Sequence, residues 1–185
     1  MNTNVMPISE KFQKKKKQII DAAIQLFATQ GYYKTTTADV ARVVGVTQPY
    51  IFHFFQTKEE LFLAVLDRAV NLINRTFANV KAPPEQLADA MGRSFNDLLT
   101  SDRDEVLLSM QAFTTPEVAI RDHVRGHFQM IYQTVSERFE QAGVVNHSYQ
   151  ASMFLATGLI ISLSEVLDIP ELLPWHFIKD NHNNT

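Results

Sequence analysis

Gln48, Pro49, Tyr50 and His53 place a carboxamide, two apolar or aromatic faces and an imidazole within six positions. A carboxamide donates and accepts at once, which is the pattern that the N6 and N7 edge of adenine presents in a DNA major groove, and an apolar ring can meet a thymine methyl. Groups suited to phosphate oxygens surround this set: Thr36 and Thr37 before it, Thr47 at its start, Lys58 after it, and Lys14 and Lys15 in a run of four lysines near the N-terminus. Phosphate contacts fix register and base contacts carry sequence, so the pattern separates a grip from a reader.

The elements that must hold these groups are legible in the stretch TTADVARVVGVTQPYIFHFFQTK, residues 36–58. Thr36 with Asp39, and Thr57 with Glu60, are N-cap pairs whose side chains satisfy amides that a helix start leaves unpaired; Thr47 is expected to cap the middle helix in the same way. Val40, Ala41 and Val44 form an apolar face that stops at Gly45, where a left-handed backbone lets the chain turn sharply. Val46 plugs that turn, and Ile51 and Phe55 point inward at a four-residue spacing, leaving 48–50 with Phe52 or His53 facing out. Two short capped helices around a glycine are the grammar of a helix-turn-helix. A helix from Glu10 to Thr29 precedes them, with Ile19, Ile20, Ala23, Leu26 and Phe27 at helical spacing and Gly31 as terminator. Lysines 14 to 17 fall in its first two turns, where the helix dipole disfavours positive charge, so phosphate contact accounts for them better than local stability does.

Charge divides the chain at the same place. Residues 1–58 carry eight Lys/Arg against three Asp/Glu, a net +5, whereas residues 59–185 carry nine against seventeen, a net −8. A basic nucleic-acid unit, 1–58, joined to an acidic body, 59–185, is the organisation this implies. The absence of cysteine excludes disulfides, thiolate catalysis and Cys-based zinc sites, and suits a reducing cytoplasm. The N-terminus has no apolar signal core, and the longest uncharged stretch, Asn146 to Ser164, reads as too short and polar for a membrane span of about 20 apolar residues.

The remainder predicts helices only. A long one after Lys58 carries Leu61, Phe62, Val65, Leu66, Ala69, Ile73 and Phe77 across the charge boundary to Ala82-Pro83-Pro84. Another runs over 85–99, a short one from Ser101-Asp102 to Phe113, and one of about seven turns from Thr115-Pro116 to Gly143 with Val118, Ile120, Val124, Phe128, Ile131, Val135 and Phe139 on one face. The segment 148–167 is apolar nearly all round; its small-residue face, Ala151, Leu155, Gly158 and Ser162, is expected to receive a helix from a second subunit. A last short helix spans 170–179. The fold class is therefore all-α, about nine helices, with a three-helix N-terminal unit. His123 and His127 stand one turn apart, a spacing that suits a metal; without Cys or an HExxH pattern they read as surface or pocket-edge polar groups, and no metal or other cofactor is expected. Nothing resembles a nucleophile elbow, a phosphate loop or a carboxylate pair, which excludes the familiar enzyme classes. An architectural DNA-binding protein is the alternative, disfavoured by the acidic, Phe-rich second half.

Three ungapped pieces, IIDAAIQLFATQGYYKTTTADVA, VVGVTQPYIFHFF and QTKEELFLAVL, resemble the tetracycline-repressor (TetR) family of bacterial transcription regulators over about 17–66. The resemblance implies a homodimer on a two-fold double-stranded DNA operator, dimerised through helices at about 148–167 and 170–179, and a small-molecule effector bound in the body. It assigns Thr36, Thr37 and Lys58 to phosphates and Thr47, Gln48, Pro49 and Tyr50 to bases, with repression as the default sign. Phe52 replaces the family's usual tyrosine and Phe54 its frequent histidine or tyrosine, which leaves His53 as the substitute for the missing hydroxyl. The implied pocket is expected among Asn74, Phe95, Phe113, Phe128, Tyr132 and Phe154, with Arg93, Gln111 and Gln133 as further polar groups.

Overall fold

The computed structural model describes residues 8–173, so the proposed terminal helix over 170–179 falls largely outside the described residues. Within them lie eight α-helices and two 3-10 turns, with no strand: α1 (Ile8–Lys34), α2 (Thr37–Val44), α3 (Gln48–Phe52), α4 (Lys58–Asn79), α5 (Leu87–Ser101), α6 (Arg103–Ala112), α7 (Val118–Gln141) and α8 (His147–Leu167). The 3-10 turns span Pro84–Gln86 and Pro170–Leu172.

Helix α1 breaks where expected. Gly31 adopts φ 79, and the chain continues for one irregular turn to Lys34. Thr36 caps α2 through a reciprocal box: its hydroxyl accepts from the Asp39 amide, and Asp39 Oδ2 accepts from the Thr36 amide at 3.1 Å. Gly45 ends α2 in the left-handed region at φ 70, and the Val46 amide reaches back to the Ala41 carbonyl at 2.9 Å. Thr57 caps α4, while the Glu60 carboxylate serves the Gln56 amide instead of closing a box with Thr57. Thr47 takes the N-cap backbone conformation of α3 but makes no side-chain cap bond, contrary to the reading of its sequence position.

The apolar core divides within α4. One cluster gathers Ile19, Phe27, Val40, Ile51, Phe55, Phe62 and Leu66, and it also takes in Leu108, Ala112 and Ile120 from α6 and α7. The other holds Val70, Ile73, Phe77, Met91, Phe95, Val135, Phe139 and Ala151. Phe27 and Phe62 meet edge to face at 4.8 Å in the first, and Phe77 and Phe154 at 5.2 Å in the second. Arg68 adds a polar tie outside the core, bonding to Asp21 of α1 and lying 3.6 Å from Glu105 of α6. Burial pushes the Glu105 carboxyl up.

Helix α8 reverses the expected orientation. Its small-residue face packs inward: Ala151 and Ser162 are buried, Leu155 and Gly158 half-buried, and Gly158 sits beside the Phe95 ring. The face left in solvent is the bulky one, with Tyr149, Met153, Ile160, Leu163 and Leu167 at steps of three, four or seven residues, flanked by Leu159 and Val166. Close packing explains the inversion, because small side chains let α8 approach the aromatic body. By length and hydropathy alone α8 also reaches the range of a membrane-crossing helix, at 21 residues with a mean hydropathy of 1.5, which corrects the sequence reading of that stretch as too short and polar. Val118, placed by periodicity on the core face of α7, lies at its first turn and is exposed.

The left-handed backbone at Gly45 predicts that Gly45→Ala lowers stability by about 1 kcal/mol, the cost of a β-carbon in that region, although no atom obstructs it. Urea denaturation followed by circular dichroism reads this directly; an unchanged midpoint would refute it.

Candidate nucleic-acid interface and body cavity

Helix α3 is only five residues long, and its shape is imposed by its anchors. Ile51 is fully buried and Phe55, just past the helix, nearly so, which turns Gln48, Pro49, Tyr50, Phe52 and His53 to solvent. Gln48 Nε2 donates to Thr37 Oγ1 at 2.8 Å. Thr37 is only 6% exposed, so it lies beneath the surface and orients the carboxamide above it. That bond leaves Oε1 and the second Nε2 hydrogen of Gln48 available. Tyr50 packs on Phe54 with ring centres 5.4 Å apart, and Phe12 of α1 stacks on Phe54 at 4.4 Å. The departure from the family pattern at Phe54 thus has a partner, and the basic start of α1 is lashed to the α3 region.

The remaining groups are placed as follows. Lys14 is exposed and Lys15 half-buried; Lys16 stands 5.5 Å above the Phe55 ring, and Lys17 pairs with Asp21 at 3.4 Å. Thr36 spends both its amide and its hydroxyl hydrogen on Asp39, whose carboxyl is held below the usual range by those bonds and by Arg42. Lys58 donates to the Tyr32 carbonyl at 3.0 Å and lies 4.3 Å over the Tyr32 ring. It is therefore a structural tie as well as a surface cation. His53 is exposed at the end of α3. Thr47, also exposed, keeps its hydroxyl out of the helix cap.

The helical body encloses an apolar cavity of about 80 Å³, and Phe95, Phe128 and Phe154 line it together with Ile73, Phe77 and Ile161. Asn74, Phe113 and Tyr132 do not line it. Asn74 follows Ile73 on α4 and is rotated by one helical step, leaving its buried Oδ1 without a partner. Phe113 lies beyond the end of α6, half in solvent and edge-on to Phe128 at 4.8 Å. Tyr132 is likewise one step past the buried Ile131, and its hydroxyl donates to the Ser148 carbonyl at 3.4 Å. Gln111 binds the Ala28 carbonyl at 2.7 Å, a tie from α6 to α1, while Arg93 and Gln133 are exposed. Arg93 does border a more open recess of about 500 Å³ that shares Phe154, Thr157 and Ile161 with the cavity and adds Asn96 and Gln150. Small-molecule sites commonly occupy about 300–1,000 Å³, so cavity and recess together reach a size that the cavity alone does not.

One member of a further grouping escaped the sequence. His123 and His127 both direct Nε2 at Asp67 Oδ1, at 2.8 and 2.9 Å. His127 is buried, and burial together with the neighbouring His123 keeps its imidazole below the usual pKa, favouring the neutral ring. Asp67 lies 56 residues before His123, so no local spacing announces it.

Residues 19–65, which contain α2, α3 and the beginning of α4, match the family described as bacterial regulatory proteins, tetR family. Over these residues the chain is similar to the TetR family. It is 24% identical over 165 residues to the helix-turn-helix-type transcriptional regulator YerO of Bacillus subtilis strain 168, covering 83% of this chain and 56% of that protein. The chain spans about half the length of the curated relatives it matches. Two solved structures share the fold. A transcriptional regulator of Saccharomonospora viridis in complex with choline superimposes with a TM-score of 0.74 at 19% identity, covering 92% of this chain and 95% of that one. FadR of Bacillus subtilis in complex with stearoyl-CoA gives 0.66 at 17% identity, covering 83% and 89%.

The Lys58 geometry predicts that Lys58→Met, which keeps the stem but loses the donor and the cation above Tyr32, costs about 1 kcal/mol of stability. Equilibrium urea unfolding monitored by tyrosine fluorescence would measure it, and a variant as stable as the parent would show that the tie contributes nothing.

Proposed function

We propose that this chain is a regulator of the TetR type, a sequence-specific DNA-binding transcriptional regulator acting in the cytoplasm as a homodimer that represses until a small, largely apolar ligand releases it. The observation that carries the reading is the α3 surface, where Gln48, Pro49 and Tyr50 are held outward on a helix anchored by Ile51 and Phe55. Residues 1–58 form the DNA-binding unit and 59–185 the ligand and dimerisation unit. Gln48 reads a base edge with the carboxamide that Thr37 orients, Pro49 and Tyr50 offer apolar contact, and Thr47, His53, Lys14, Lys15 and Lys58 grip phosphates. Thr36 contributes through the helix start that it shapes, since its own donors are committed to Asp39.

The exposed face of α8 supports dimerisation. A second copy covers one apolar stripe while the other side of the helix stays packed on the body, whereas a bilayer would have to surround a helix already buried along Ala151 and Ser162. Leu172 is also exposed, and the rest of 170–179 is assigned to the interface by the resemblance alone. The effector reading rests on the apolar cavity and on a fold neighbour bound to an acyl thioester. Ile73 and Phe77 line that cavity from α4, so an occupant pushes on the helix that begins at Lys58 and alters the separation of the two recognition helices.

Two outcomes follow. Gln48→Ala changes the ranking of operator variants, with losses of roughly 1 to 3 kcal/mol at one position, whereas Lys14→Ala weakens all duplexes alike and reduces the salt slope by about one. Binding to a panel of altered duplexes across salt concentrations decides between them; the reverse pattern would sink the assignment. Leu163→Glu converts the dimer to monomer in sedimentation velocity, and a variant that sediments as the parent does would remove α8 from the interface.

A further inference from the structure

We propose that Asp67, His123 and His127 bind one divalent transition-metal ion, with zinc the best chemical match, and that the ion clasps α4 to α7. The inference is independent of the DNA-binding reading, because it rests only on donor chemistry and geometry. His123 and His127 lie one turn apart on a single face of α7, and both bring Nε2 to one carboxylate oxygen on α4. The three donor atoms all fall within 4.8 Å of one another. Donors about 2.0–2.1 Å from a tetrahedral ion stand roughly 3.3 Å apart, so a slight outward turn of the carboxylate makes room for one.

The donor set is specific in kind. Two imidazoles and a carboxylate, with no thiolate, suit a borderline ion such as zinc, with water in a fourth position, better than an oxygen-seeking magnesium or calcium ion. Burial is graded across the site: the His127 side chain is 9% exposed, His123 29% and Asp67 48%. A buried inner ligand, an intermediate one and a half-exposed outer carboxylate leave the ion a route in from solvent. The neighbouring cation does not compete, because the Arg68 guanidinium is engaged by Asp21 and Glu105. A plain hydrogen-bonded triad is the simpler reading, yet it gathers two ring nitrogens on one carboxylate oxygen. An ion adds a bond energy that such a triad lacks, placed on the helix common to both cores.

The test uses the untagged full chain, stripped with chelator and titrated with Co²⁺, whose visible absorption reports coordination, followed by displacement with Zn²⁺. One equivalent per chain is expected, with four- or five-coordinate bands abolished by one equivalent of zinc, and a rise in melting temperature on adding zinc. Asp67→Asn and His123→Gln should each weaken the affinity at least tenfold. Both positions are partly exposed, so either variant carries the test if the other fails to fold. No cobalt spectrum together with no zinc-dependent melting shift, or an affinity equal to the parent's in a folded variant, overturns the site. Operator binding is not a readout here, so a chain that failed to bind DNA would leave this result standing.

Discussion

Helix α4 belongs to two hydrophobic cores at once, and the arrangement of everything else follows from that. Leu61, Phe62, Val65 and Leu66 are buried among α1, α2 and the end of α3, whereas Val70, Ile73 and Phe77 are buried among α5, α7 and α8. A continuous helix resists bending unless a proline, a bulge or an inserted group interrupts its ladder, and α4 has no internal proline. A displacement at one end must therefore be taken up by one of the two cores. Leu108, Ala112 and Ile120 tighten the constraint, because they bring α6 and α7 directly into the N-terminal cluster. Coupling between the cavity and the α3 surface needs no chain of hydrogen bonds; it needs only two packings of a stiff rod.

The surface carried by this rod is locally weak. Five residues cannot form a stable helix in water, so α3 owes its existence to Ile51, to Phe55 and to the turn at Gly45. Phe12 and Phe54 extend the support to the beginning of α1, which sets the lysine-bearing turns beside the reading residues. Substitutions that leave every outward side chain in place can therefore still move them.

Local rules carried much of this architecture. The caps at Thr36 and Thr57, the glycine breaks at 31 and 45 and the inward pair Ile51 and Phe55 each rest on interactions within a few residues, and each is visible in the linear chain. Thr47 shows the limit of such rules: the backbone adopts the cap conformation, but the hydroxyl bond is not made. In α8 the periodicity identified two faces and could not say which one turned inward, because small residues suit a close approach within the monomer as well as between subunits. The aromatic set divided in the same way. Phe95, Phe128 and Phe154 reach the cavity, while Phe113 and Tyr132 miss it by an element end or by one helical step. Asp67 was beyond any local rule, since only the pairing of α4 with α7 joins it to two histidines more than fifty residues away.

The bond from Gln48 to Thr37 has an energetic corollary. A free glutamine side chain samples many rotamers, and immobilising a side chain at an interface commonly costs about 0.5 to 1.5 kcal/mol. Here the buried threonine restricts the carboxamide as the domain folds, so that entropy is lost before any partner arrives. Recognition then begins from a group already set in one plane, and its selectivity is governed by the fit of that plane to what it meets.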